Sequence, residues 1–236
     1  MNLFLTSNPL KSDGSINDSN DFLWNFKYSL PYETNALFIA SDPTYRPATA
    51  RFADQLKNAI NSAGVFVKSM DVLDNESVSM SKDEIQKHNL IILAGGHVPT
   101  QNKFFNEIDL KSKLEGYNGT ILGISAGSMN AADEVYAIPE EDGETGDSFA
   151  KFLPGLGLTK VQIVPHYDET MASVVDGKKI DNIVLFDSRD KKFLGLPDGS
   201  YLNSADGHEM VYGPFYTITA GKAVKTEAGF MAKSFD

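Results

Sequence analysis

Short apolar runs alternate with longer amphipathic stretches through the first half of the chain. Residues 36–40 (ALFIA) are apolar throughout and stop at Ser41-Asp42-Pro43, the pattern of a strand buried on both faces and closed by a turn. Pro47 opens the next stretch and Gly64 closes it. Between them Phe52, Leu56, Ile60 and Ala63 recur at helical spacing, which predicts a helix with one core-facing stripe. Strand character returns at residues 65–73. Residues 89–94 are strongly apolar and run into Gly95-Gly96. A helix is expected next, with Phe104, Phe105, Ile108 and Leu114 inside and Gly116 near its end, and residues 119–124 form another buried strand. At the N-terminus, Leu3-Phe4-Leu5 reads as a first buried strand; neither a basic leader nor a secretory apolar run precedes it.

This strand–helix alternation predicts an α/β fold with a mostly parallel sheet and helices on both faces. Such sheets carry their chemistry at the carboxyl ends of the strands. The last third differs. Residues 193–202, 209–212 and 217–220 are short strand-like pieces with Gly and Pro turns, expected as an antiparallel extension. No repeat or linker interrupts the pattern, so residues 1–236 are read as one domain.

Composition narrows the function. The formal net charge of −11 disfavours binding to phosphate backbones or anionic membrane surfaces, so neither nucleic acid nor membrane is expected as a partner. The absence of cysteine removes disulfides, thiolate metal sites and cysteine nucleophiles, and suits a reducing, cytoplasmic location.

The segment with the strongest chemical signal is Gly123-Ile124-Ser125-Ala126-Gly127, which follows a buried strand and leads into a small-residue stretch able to start a helix. In a strand–turn–helix setting this G-x-S-x-G pattern lifts the serine hydroxyl off the sheet, and Ser125 is the candidate nucleophile. A serine needs a base. Of the four histidines, His166 in Pro165-His166-Tyr167 also ends an apolar strand and is the best candidate. His88 lies in a polar stretch and reads as solvated surface; His208 lies in a glycine-containing turn; His97 follows Gly95-Gly96 and should lie near the site. The carboxylate that orients the base is less determined. Asp198 ends a third apolar strand but also fits a Pro-Asp-Gly turn, and the acidic run containing Glu140, Glu141, Asp142 and Glu144 competes with it.

Taken in order, Gly95-Gly96, Gly123-Ile124-Ser125-Ala126-Gly127, Pro165-His166-Tyr167 and Gly195-Leu196-Pro197-Asp198-Gly199 resemble the peptidase E, or aspartyl dipeptidase, family of serine peptidases, which includes cyanophycinase. The resemblance runs from about Leu90 to the C-terminus. It implies a three-layer α/β/α fold similar to the class I glutamine amidotransferase domain, with Ser125 as nucleophile, His166 as general base and Asp198 as the acid, where the family usually carries glutamate. It further implies Gly96 and Ala126 as oxyanion-hole donors and Glu140 as a supporting acid. No metal or cofactor is implied, the partner is a small peptide, and a homodimer is left open. His97 stands where the family usually has asparagine, which puts substrate choice in question. The alternatives are an esterase or amidase on the same site, a catalytically inactive binding protein of this fold, and an α/β-hydrolase order in which His208 follows Asp198 or Asp187.

An aspartyl substrate needs a cationic partner. The chain has three arginines: Arg46 could reach the cleft from near a strand end, Arg51 should be solvated, and Arg189 has neighbouring carboxylates to occupy it. Asp168 and Glu169 follow His166, and the 140–144 run follows the nucleophile segment. Where these acids line the cleft they favour neutral or basic substrates, so Asp-Leu-type dipeptides are not expected to be the best ones. The alternative is that most of them face water and Arg46 or a lysine supplies the contact.

Overall fold

The computed structural model describes residues 1–205 and 207–227, and the backbone of residues 233–234. Strands β1 (Asn2–Thr6), β2 (Thr34–Ile39), β3 (Val67–Leu73), β4 (Leu90–Leu93) and β5 (Thr120–Ile124) are mutually parallel, and helices α1 (Phe22–Tyr28), α2 (Arg46–Ser62), α3 (Lys82–Gln86), α4 (Val98–Glu107) and α5 (Leu110–Leu114) connect them. The pattern's strict alternation is what builds the layers. Leu3, Leu5, Leu37, Ile39, Ile91, Leu93 and Ile121 point to one face with Phe104, Phe105, Leu110 and Leu114. Phe4, Ala36, Phe38, Ile92, Leu122 and Ile124 point to the other with Phe22, Phe26, Leu56 and Ile60. Successive strand residues face opposite sides, so a continuous apolar run supplies both cores at once.

Beyond α6 (Ala126–Asn130), the hairpin strands β6 (Glu134–Tyr136) and β7 (Phe152–Pro154) lead to β8 (Gln162–Val164) and α7 (Tyr167–Ala172). A two-stranded ribbon of β9 (Val174–Val175) and β10 (Lys178–Lys179) precedes α8 (Ile180–Asp187) and β11 (Lys192–Gly195). The C-terminal strands are β12 (Tyr201–Ala205), β13 (His208–Tyr212), β14 (Phe215–Thr219), β15 (Lys222–Thr226) and β16 (Lys233–Ser234).

The expected antiparallel extension is present but divided between two sheets. The main sheet runs β16-β13-β12-β1-β5-β4-β2-β3, with β12 antiparallel to β1. A second sheet runs β15-β14-β11-β8, in which β8 and β11 are parallel. Residues 193–202 therefore do not form one piece: β11 and β12 lie in different sheets, separated by the turn at Pro197 to Ser200.

Three local expectations need correcting. The stretch from Phe104 to Leu114 is two helices, broken where Asp109 takes a left-handed conformation (φ 50°). The buried stripe of α2 is Ala53, Leu56, Ala59 and Ile60, with Phe52 and Ala63 only partly covered. His88 is buried rather than solvated, its ring held by the Ile85 carbonyl and the Asp71 carboxylate, each at 3.0 Å.

Candidate active site

Two pairs of neighbouring parallel strands set the geometry. β4 and β5 lie side by side with Leu93 opposite Gly123, so Gly95-Gly96 and Ser125 emerge together at one sheet edge. β8 and β11 lie side by side with Val164 opposite Gly195. Two residues past Val164 is His166, and three past Gly195 is Asp198. The in-register ends thus bring the ring and the carboxylate within reach, and His166 Nδ1 lies 2.8 Å from Asp198 Oδ1.

Ser125 sits at φ 48°, ψ −111° between β5 and α6. A non-glycine residue in this region costs on the order of 1–3 kcal/mol and persists only where the surroundings enforce it. The enforcement is visible. The Ser125 amide still donates to Thr6 O on β1 (2.9 Å), while its own carbonyl accepts from the Ser128 and Met129 amides. Gly127 is required because a Cβ there would lie 2.2 Å from the Leu93 carbonyl oxygen. Gly96, at φ 153°, would drive a Cβ to 2.4 Å from Ser41 Oγ.

A cleft of about 510 Å³ joins Gly96, Ser125, Glu140, His166 and Glu169. The structure therefore gathers most of the sequence-predicted residues. Ala126 begins α6, whose first amides have no partner within the helix. His97 caps α4 directly after Gly96. His208 opens instead onto a separate cleft with Asp133, Thr159 and Glu209, so the α/β-hydrolase order using His208 finds no geometric support.

Asp198, not Glu140, is the carboxylate hydrogen-bonded to His166. That bond raises the His166 pKa above its ordinary value against partial burial, and the charges of Asp198, Glu169 and Glu140 add to the rise. Glu140 stands at the cleft mouth with much of its surface in water. Its carboxyl is nevertheless held above the ordinary range, chiefly by desolvation among its neighbours; His97 and His166 oppose the shift, and Glu144 and Glu141 reinforce it.

Several residues around the site carried no sequence signal for the contacts they make. Ser7, completely buried just after β1, accepts the His166 amide proton (3.0 Å) and donates to Leu196 O (2.7 Å), stitching the two sheets together. Asn130 on α6 donates to Gln101 Oε1, Val98 O and Ala126 O, and Gln101 donates to Ala94 O. This buried amide network locks the start of α4 against the serine turn. Glu144 accepts from the amides of Glu140 and Glu141 and pairs with His97 Nε2 at 2.7 Å. Burial pushes its carboxyl up, but these amides and His97 outweigh that and leave it below the ordinary range. Asp176, in the β9–β10 turn, accepts from the Gly143 and Thr145 amides and the Thr145 hydroxyl. The acidic loop at 140–146 is thus tethered at two points and is not a free solvated run.

Among the described residues, His97, Glu141 and Glu144 bring potential ligand atoms within 4.8 Å of one another. Both Glu144 oxygens already accept hydrogen bonds, and both His97 ring nitrogens are engaged, with Thr100 Oγ1 and Glu144. His97 and Glu144 are therefore held in a hydrogen-bonded tether, which Glu141 joins through its backbone amide. No helix among the described residues is long and apolar enough to cross a membrane.

A mostly parallel α/β sheet with a serine on a strained turn at a strand end, in one cleft with a carboxylate-bonded histidine, is the build of a serine hydrolase. Residues 3–210 match peptidase family S51, and the chain belongs to that family of serine peptidases. Two solved structures share the fold. One is a peptidase from an acI-B1 Actinobacterium, 16% identical with a TM-score of 0.66, the match covering 99% of this chain and 96% of that one. The other is a putative peptidase E protein from Listeria monocytogenes EGD-e, 16% identical with a TM-score of 0.53 and coverage of 97% and 98%. No curated protein is matched.

Proposed function

We propose that this protein hydrolyses small peptides through a Ser125–His166–Asp198 triad and an acyl-enzyme intermediate. The observation that carries the reading is His166, hydrogen-bonded through Nδ1 to Asp198 at 2.8 Å while lining the same cleft as Ser125. With Nδ1–H donated to the carboxylate, Nε2 is left as the basic nitrogen. It takes the Ser125 proton as Oγ attacks the peptide carbonyl. The amides of Gly96 and Ala126 receive the resulting oxyanion, a role in which one donor is worth roughly 3 kcal/mol. The imidazolium then protonates the departing amine. Water, deprotonated by His166, attacks the acyl carbonyl and restores Ser125. Glu140 acts on His166 electrostatically rather than as the triad acid.

The test is covalent labelling by a serine-reactive phosphonate with adduct mapping, followed by a dipeptide screen alongside short esters and amides. The reading requires an adduct on Ser125 and turnover of at least one dipeptide. An adduct with turnover of esters alone would replace the peptidase reading by an esterase. No adduct and no turnover in folded protein would make the chain a binding protein of this fold.

A further inference from the structure

The cleft that holds Ser125 has apolar walls and an anionic mouth. Met129, Ile138, Pro139, Val174 and Val175 line its sides. Glu140 and Glu169 stand in the same lining, both close enough to raise the His166 pKa. No lysine or arginine lines this cleft among the described residues. The three arginines are accounted for elsewhere. Arg46 pairs with Asp74 at 2.9 Å and with Glu76, although it lies at the sheet edge from which it could have reached inward. Arg189 lies over the Phe186 ring, 4.7 Å from its centroid, while Asp187 engages Lys151 and Tyr136. Arg51 is exposed on α2. Lys178, on the ribbon that supplies Val174 and Val175, donates to the Thr145 carbonyl.

We infer that the cleft selects a basic residue next to the scissile bond, with an aliphatic stem against the apolar walls and a cationic head at Glu140 and Glu169. This rests on the peptidase reading and specifies its substrate class. An alkylammonium or guanidinium side chain is the ligand whose two parts match both parts of the cleft: its methylenes bury on apolar surface while its charge stays at the wet end. A carboxylate side chain has the same sign as Glu140 and Glu169 and would find no cation in the cleft lining to meet it. A purely aliphatic side chain fits the walls but leaves both glutamates unanswered. The 140–146 loop is held by His97 and Asp176, so Glu140 is presented by a tethered segment.

The experiment uses the full chain and Ala-containing dipeptide amides carrying lysine, norleucine or aspartate at either position, at low salt. Norleucine keeps the stem of lysine without its charge. At one of the two positions, kcat/KM for lysine should exceed norleucine by tenfold or more, about 1.4 kcal/mol, with aspartate lowest. The lysine-to-norleucine ratio should shrink toward unity in Glu169→Gln combined with Glu140→Gln, and at high salt because the mouth is solvent-exposed. Reading the ratio makes the result independent of any general loss of turnover. Equal lysine and norleucine rates at both positions, or a preference for aspartate, would overturn the inference. Binding of the same peptides to Ser125→Ala is measured by calorimetry in parallel. Lysine tightest without turnover of any peptide by the native chain would sink the peptidase reading and keep the charge selectivity. Where no peptide is turned over, equal affinities or no binding at millimolar peptide would overturn the selectivity itself.

Discussion

Replacing Asp198 by asparagine removes the charge that fixes the His166 ring while keeping nearly the same shape. The magnitude follows from the geometry. The His166 Nδ1 to Asp198 Oδ1 bond is 2.8 Å long, and the side chains are 28% and 47% exposed. A hydrogen bond to a charged group contributes about 1.5–3 kcal/mol, roughly 10- to 150-fold in rate. An asparagine amide that donates to Nδ1 also favours the tautomer with the proton on Nε2, which is useless as a base and costs further. A fully buried triad acid loses about 10⁴ on this substitution. With Asp198 half in water, a fall of about 10²- to 10³-fold in kcat/KM is expected. The pH profile gives the more specific signature. In the proposed mechanism the neutral ring is the base, and its pKa is raised mainly by Asp198, so the acidic limb of native activity should lie above the ordinary histidine value of about 6.5. It should move down in Asp198→Asn. A folded Asp198→Asn protein within threefold of native kcat/KM, with its acidic limb unmoved, would refute the reasoning.

Ser125→Ala should fold normally and lose at least about 10⁴-fold in turnover, leaving oxyanion and binding contributions; activity and circular dichroism on one preparation check both parts. Glu140→Gln should cost much less than Asp198→Asn, and the reverse order in matched kinetics would make Glu140 the triad acid. The raised His166 pKa also bears on stability: its contribution is fully present below the unfolded value near 6.5 and is lost as pH rises through the folded one, so the stability gap between native and Asp198→Asn protein in chemical denaturation should narrow as pH becomes alkaline. Gly127→Ala sets a Cβ against the Leu93 carbonyl; a loss of about 3 kcal/mol, or roughly 6–12 °C in Tm, is expected in thermal unfolding. Asp176→Asn should loosen the 140–146 loop and speed its cleavage by added protease, and unchanged cleavage would show that the Asp176 bonds do not restrain it.

What could be read from the chain was whatever local pattern determines. The apolar runs gave the parallel strands because burial on both faces leaves no polar positions to confuse the period. Ser125 was legible because glycines at 123 and 127 are needed for close approach, and a close approach has a sequence price in side-chain size. His166 and Asp198 were legible as strand ends, but not as residents of a second sheet, since strand pairing across long separations leaves no local trace. The same reason hid Ser7, whose role depends on partners at positions 166 and 196. His88 was misread because its neighbours in sequence are polar, while its ring is buried and held by the Ile85 carbonyl and the Asp71 carboxylate. Arg46 was misplaced toward the cleft because nothing nearby in sequence announces Asp74 and Glu76. Glu144 and Asp176 looked like ordinary acids until the amides they accept from were known.

The position of the first strand has a consequence for how the chain must assemble. β1 lies inside the main sheet, between β5 and β12, and Asn203 on β12 bonds the Leu3 carbonyl from 200 positions away. During synthesis the earliest strand therefore waits with one edge unsatisfied until nearly the whole chain has emerged. Contacts this distant slow folding because the loop entropy must be lost before they form. An open strand edge is also where nascent chains stick to one another. Fragments ending before Tyr201 should be aggregation-prone even though they contain the complete Ser125 turn. The same wait applies to the candidate site: the Ser125 turn is made from residues 119–130, while His166 and Asp198 arrive only with the second sheet. A half-made chain thus carries the serine turn without the histidine–carboxylate pair that the proposed mechanism needs.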